Sequence, residues 1–214
     1  MHGGTSLAFQ VTDNEGRFLV RLARAAVDRY LRVQKTIQIP EDTPAKLLKR
    51  FGVFVTISKL RNTEKELKGC IGYPYPTTEL TQGVIECAIS AATQDPRFPP
   101  LSMDELGETV FEVSVLTPPE QMKARNSRDL PSQIRVGVDG LIVESGMYKG
   151  LLLPQVPVEY GWDEEEFLSQ CCLKAGLAPD NWLLKATKVS RFQAIVFCEK
   201  TPGGEVGRRR LSGS

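Results

Sequence analysis

The stretch Leu67-Lys68-Gly69-Cys70-Ile71-Gly72 sets a thiol between glycines, with an ammonium two residues before it. Glycine admits close backbone approach or positive φ, so such a run reads as main chain shaped for a contact. In an extended segment side chains alternate, which puts Lys68 and Cys70 on one face and Leu67 and Ile71 on the other. An ammonium beside a thiol favours the thiolate and draws its pKa below the free value of about 8.5. Cys70 is then a candidate nucleophile, expected to be alkylated faster than Cys87, Cys171, Cys172 and Cys198. The plain alternative is a buried structural cysteine whose glycines mark a bulge. The five cysteines form an odd set without the paired short spacings of zinc ligands, which argues against a disulfide framework or a structural metal. Adjacent Cys171 and Cys172 sit in a helical pattern and read as small apolar residues. The only histidine is His2, in the terminal segment, so the commonest general base is missing.

The second chemically loaded stretch is Asp95-Pro96-Arg97-Phe98-Pro99-Pro100-Leu101. Its prolines forbid helix and predict an extended, rigid passage. Arg97 within it is either a charged hook for a ligand or an internal clamp on Asp95 or on a helix end, the clamp being the commoner use of such an arginine.

Elements must hold these stretches in place. Thr12-Asp13-Asn14-Glu15 is a capping box opening a helix with Phe18, Leu19, Leu22, Ala23, Ala26, Val27 and Tyr30 on one face. Thr43-Pro44 starts a short helical turn, and Val53, Val55 and Ile57 alternate as a strand. The charged loop from Arg61 to Glu66 then returns the chain into the Cys70 segment, making it one arm of a hairpin. Thr77 or Thr78 caps a second helix over Leu80 to Ala92, whose N-terminal amides could hold an anion. Ser102 to Glu105 repeats the capping box, and Phe111, Val113 and Val115 alternate on a strand ended by Pro118-Pro119. Glu120 to Gln133 is polar and irregular, a candidate crossing between two lobes. Ile134 to Val138 and Leu141 to Glu144 flank Asp139-Gly140, the pattern of a hairpin with a two-residue turn. Met147 to Leu153 is another strand, Asp163 with Glu166 opens a helix closed by Gly176, and Arg191 to Cys198 is a final strand. Residues 1–12 are expected to be a flexible segment and residues 201–214, rich in Gly, Ser and Arg, a disordered tail with Arg208-Arg209-Arg210 as a solubilising end. Without a regular βαβ rhythm, the fold class is α+β with a mainly antiparallel sheet and flanking helices.

Composition excludes several function classes. The chain has 214 residues, 27 Lys and Arg against 26 Asp and Glu, and a net charge of +1, too little for a dedicated nucleic-acid binder. No apolar run reaches membrane-spanning length, and Met1-His2-Gly3-Gly4-Thr5-Ser6 lacks a basic region followed by a hydrophobic one, so a cytoplasmic protein is expected. No Gly-rich phosphate fingerprint or paired metal motif competes, and the sequence leaves any cofactor unknown.

The Leu67–Gly72 hexapeptide, the Asp95–Leu101 segment, Ser114-Val115-Leu116-Thr117 and Leu153-Pro154-Gln155-Val156-Pro157-Val158-Glu159-Tyr160-Gly161-Trp162-Asp163 together resemble the AMMECR-type domain family, named from an Alport syndrome chromosomal region. The resemblance runs from about residue 13 to residue 199, so the domain is expected over 13–200. It implies an α+β fold of two lobes with the glycine-flanked cysteine near the cleft between them. The family usually carries Arg where this chain has Lys68, so the charge is kept without the planar fork. The family is often encoded with, or fused to, Memo-type and radical S-adenosylmethionine proteins, which implies partnership in a shared modification pathway. No particular reaction comes with it.

Two function classes follow. In one, Cys70 attacks an electrophile, Lys68 lowers its pKa, main-chain N–H groups from Gly69 to Gly72 stabilise negative charge, and Glu159 or Glu144 moves protons. In the other, Arg97, Tyr73, Tyr75, Tyr160 and Trp162 bind a peptide, a modified side chain or a small anion without chemistry. The missing histidine tilts the reading toward recognition.

Overall fold

The computed structural model describes residues 10–62 and 64–209. These form two compact units, residues 10–115 with 195–209 and residues 116–194. The fold is α+β with antiparallel pairing.

The first unit opens with α1 (Asp13–Val33), started by the expected capping box: Glu15 N donates to Thr12 Oγ1 at 3.2 Å and Thr12 N to Glu15 Oε2 at 2.7 Å. Two orphan amides are satisfied reciprocally, and the apolar stripe from Leu19 to Val27 is buried. After a 3-10 turn at Ala45–Leu48, β1 (Gly52–Arg61) and β2 (Glu64–Tyr73) form the expected hairpin. Then come α2 (Leu80–Thr93), α3 (Met103–Leu106) and β3 (Thr109–Leu116). The strand order is β2-β1-β3, followed by the later residues of β7 (Lys188–Glu199), which also pair with β8 (Val206–Arg209). Helices α1 and α2 pack on one sheet face through Leu19, Val53, Val55, Ile57, Val84, Ile85, Phe111 and Phe197.

The second unit contains β4 (Glu120–Gln121), β5 (Asp139–Ser145), β6 (Tyr148–Leu152), α4 (Gln155–Tyr160), α5 (Glu164–Lys174) and the first residues of β7. Its core joins Leu141 and Val143 to Phe167, Leu168, Cys171 and Trp182. Asp163 caps α5 as expected, accepting from Glu166 N at 2.8 Å.

Three local expectations are corrected. Asp139-Gly140 is not a hairpin turn but the start of β5, because Asp139 is buried and accepts from Arg135 N at 3.0 Å. The hairpin is instead β5 to β6, turning at Gly146 with φ 59°. Neither Thr77 nor Thr78 caps α2: Glu79 stands at that position without a side-chain bond, and Leu80 N donates to Lys49 O at 2.9 Å. The polar stretch from Glu120 is no crossing between units, since the boundary falls at residue 116 and Met122 and Leu130 are buried in the second core.

The tail is not disordered over residues 201–209. β8 pairs Val206 with Glu199 and Arg209 with Val196, while Arg208 lies over the Phe197 ring, binds Val11 O and reaches Asp13 at 3.5 Å. Low hydropathy hid a strand whose arginines are anchored by acceptors and an aromatic face. His2 and Arg210 lie outside the described residues. No described helix is long and apolar enough to cross a membrane.

Candidate functional site

The Cys70 segment is β2, the edge strand of the first unit. Register pairs Val55 with Ile71 and Ile57 with Gly69 on the face toward α2, and Phe54 with Gly72 and Thr56 with Cys70 on the opposite face. Both glycines serve close approach, neither with positive φ. A Cβ on Gly69 would lie 1.9 Å from Ala91 O of α2, and one on Gly72 would lie 2.3 Å from the Phe54 ring. A bulge does stand beside Gly69, where the register shifts between Ile57 and Ser58 with Ser58 opposite Leu67, while Gly72 pairs with Phe54 in regular register.

That bulge overturns the sequence argument for thiol activation. Lys68 is the extra residue, strict alternation fails there, and its Nζ binds Glu66 Oε1 at 2.9 Å. Cys70 has other neighbours. Thr56 Oγ1 donates to its Sγ at 3.3 Å, its N–H donates to Asp95 Oδ2 at 2.9 Å, and its carbonyl accepts from Arg97 at 3.3 Å. Burial pushes the thiol pKa up; Thr56 and the Arg97 charge pull it down, and the Glu112 and Asp95 carboxylates raise it again. The net direction is upward, so the thiol is held protonated at neutral pH.

Asp95 and Arg97 form the clamp that was one of two readings. The segment is a turn, not the extended passage expected: Phe98 N donates to Asp95 O at 3.2 Å, with Asp95 and Pro96 in the first two turn positions. Arg97 Nε and a terminal nitrogen bind the two Asp95 oxygens at 2.9 and 2.7 Å. The Arg97 pair and two backbone amides hold the buried Asp95 carboxyl down at about 2. The pair thus stands where a neighbouring strand would, satisfying the outward N–H and C=O of Cys70 on an edge strand. Arg97 keeps 47% of its side chain exposed while Asp95 keeps 2%.

Glu112 is the residue that sequence reasoning missed. It lies in β3, 8% exposed, between Phe111 and Val113 of the core, and accepts from Arg209 of β8 at 3.2 Å. Its charge opposes ionisation of both Cys70 and Cys198. The available signal was a single carboxylate in the otherwise uncharged run Thr109–Leu116. Cys198 is half-buried like Cys70, while Cys87, Cys171 and Cys172 are buried; all five are free. Burial therefore does not separate Cys70 from Cys198.

Of the remaining candidates, Tyr73 faces α2, donating to Glu86 Oε2 at 3.0 Å, and burial followed by that bond pushes its phenol up to about 12. Glu144, Glu159, Tyr160 and Trp162 all belong to the second unit. Glu144 pairs with Lys149 at 3.0 Å across the β5–β6 hairpin, and Glu159 is exposed on α4. Tyr160 and Trp162 stack at 4.9 Å between centroids, Tyr160 being 69% exposed. The carboxylates that act on Cys70 are Asp95 and Glu112. Among the described residues no group of three or more His, Cys, Asp or Glu could hold a metal ion.

The family model described as AMMECR1 matches residues 20–197. A protein of Thermococcus gammatolerans is 53% identical over 204 residues, covering 95% of this chain and 99% of its own length. One of Methanothermobacter thermautotrophicus is 54% identical over 186 residues, covering 87% of this chain and 95% of its own. The crystal structure of protein PH0010 from Pyrococcus horikoshii, titled as uncharacterized, is similar with a TM-score of 0.91 at 50% identity, over 94% of this chain and 100% of that one.

Proposed function

Because the chain belongs to the AMMECR1 family, we propose that it is a recognition module whose working surface is the sheet face at Cys70, acting with Memo-type and radical S-adenosylmethionine proteins in a modification pathway. The observation that carries this reading is the state of Cys70. Its thiol is half-buried, bonded to Thr56, and pushed up in pKa by burial, with Asp95 and Glu112 adding to the rise. Nucleophilic cysteines need the thiolate at working pH. The charge meant to supply it, Lys68, is committed to Glu66. The exposed side of the Arg97 guanidinium is instead a fixed cationic contact for a small anion or a carboxylate of a bound peptide.

The test measures binding of a recombinant Memo-type protein by calorimetry, alongside output of the reconstituted pathway. Cys70→Ser is expected to keep both. Arg97→Ala is expected to weaken binding at least about tenfold, or roughly 1.4 kcal/mol. Loss of output with intact binding in Cys70→Ser would establish the nucleophile instead and end the recognition reading.

A further inference from the structure

A groove in the first unit shares no residue with the Cys70 face. Asn14, Arg17, Phe18, Arg21, Leu22 and Ala25 of α1 line one wall, and Ile37 and Pro40 of the following segment the other. The α1 residues recur at intervals of three and four, so they form one stripe about 16 Å long at 1.5 Å per residue. The volume is about 430 Å³, within the roughly 300–1,000 Å³ common for small-molecule sites. Its apolar lining is hydrocarbon and aromatic, from Phe18, Leu22, Ile37 and Pro40. Its charged groups are two exposed arginines one helical turn apart.

Those arginines are not neutralised by the acids near them. Asp13 is paired with Arg208 and Glu15 with Lys46. Among the described residues Arg17 bonds only the Asn14 amide oxygen and Arg21 makes no ion pair or hydrogen bond. The groove therefore presents an apolar trough under two uncompensated guanidinium groups, whose forks suit an oxyanion. From this juxtaposition we infer that the groove is a binding site for a small amphiphilic organic anion, an apolar or aromatic body carrying one carboxylate or sulfonate. The body lies along Phe18, Leu22 and Ile37, and the anion sits between Arg17 and Arg21.

The probe is anilinonaphthalene sulfonate, titrated into the full chain and followed by fluorescence, with decanoate and decanol as competitors. Saturable binding to one site is expected, displaced by decanoate at least about tenfold better than by decanol. The Arg17→Gln/Arg21→Gln double variant should weaken binding at least about tenfold, and Ala25→Phe, which fills the trough from an exposed position, should abolish it. Unchanged thermal unfolding checks that the variants stay folded. The inference is overturned by absence of saturable binding, by equal displacement by decanol, or by unchanged binding in either variant.

Discussion

Arg24 and Glu199 are 175 residues apart, whereas Asp95 and Arg97 are separated by two, yet both pairs are bidentate and both lie in the first unit. Glu199, 2% exposed, takes Arg24 at 2.7 and 2.6 Å and the Phe111 amide at 3.0 Å. Arg24 also donates to Leu106 O and Thr109 O and lies over the Phe111 ring. All three nitrogens of that guanidinium donate, and the pair ties α1, the start of β3 and β7 into one core. Asp95 is equally buried, but Arg97 spends its contacts on Asp95 and Cys70 and leaves nearly half of its side chain to solvent. The first pair is spent on structure. The second fixes an edge strand and still shows a charge outward, the property expected of a recognition residue.

Breaking the buried pair should have the largest effect. Glu199→Ala leaves Arg24 and the Phe111 amide without their acceptor, and loss of one partner of a buried pair costs about 3–5 kcal/mol. Urea unfolding measures it, and a loss under about 1 kcal/mol would erase the distinction between the two pairs.

Asp95→Asn should cost less, about 1–2 kcal/mol, because the amide oxygen keeps one bond and Arg97 regains water. The pH dependence sharpens this point. Folding lowers the Asp95 pKa to about 2 from 3.8, chiefly through Arg97. The folded state therefore binds the proton less readily than the unfolded chain. Its stabilisation is complete above roughly pH 4 and is lost as pH falls toward about 2. Asp95→Asn should flatten that part of the stability profile; an unchanged acid limb would deny the clamp its role.

The smallest effect should be seen in cysteine labelling, which leaves stability untouched. Iodoacetamide on native protein should modify Cys70 and Cys198 slowly at neutral pH and faster as pH rises, since burial raises both pKa values. Cys87 and Cys171, whose thiols burial drives up to about 12, and the buried Cys172 should be protected. Rapid labelling of Cys70 alone at neutral pH would restore the activated thiol.

Local chemistry was legible at several places where partners are near in the chain. The capping boxes at Thr12 and Ser102, the cap at Asp163 and the antiparallel hairpin around Cys70 depend on residues a few positions apart, so their patterns survive in the linear text. The same locality allowed the Asp95–Arg97 clamp to be one of two readings. What the linear text left undetermined was any contact made by a residue's distant partners. Alternation implied Lys68 beside Cys70, but one extra residue at the Ile57–Ser58 shift breaks the face, and only strand pairing decides where a bulge falls. The arginine-rich end looked like solvent-bound charge until β7 and Glu112 supplied a strand edge and an acceptor. Sequence by itself determined the fold class, the family, most of the helices and strands and the residues worth weighing. Tertiary structure alone decided which charges meet which groups and the protonation of Cys70, because electrostatic and packing energies depend on distance in space, to which separation along the chain is no guide.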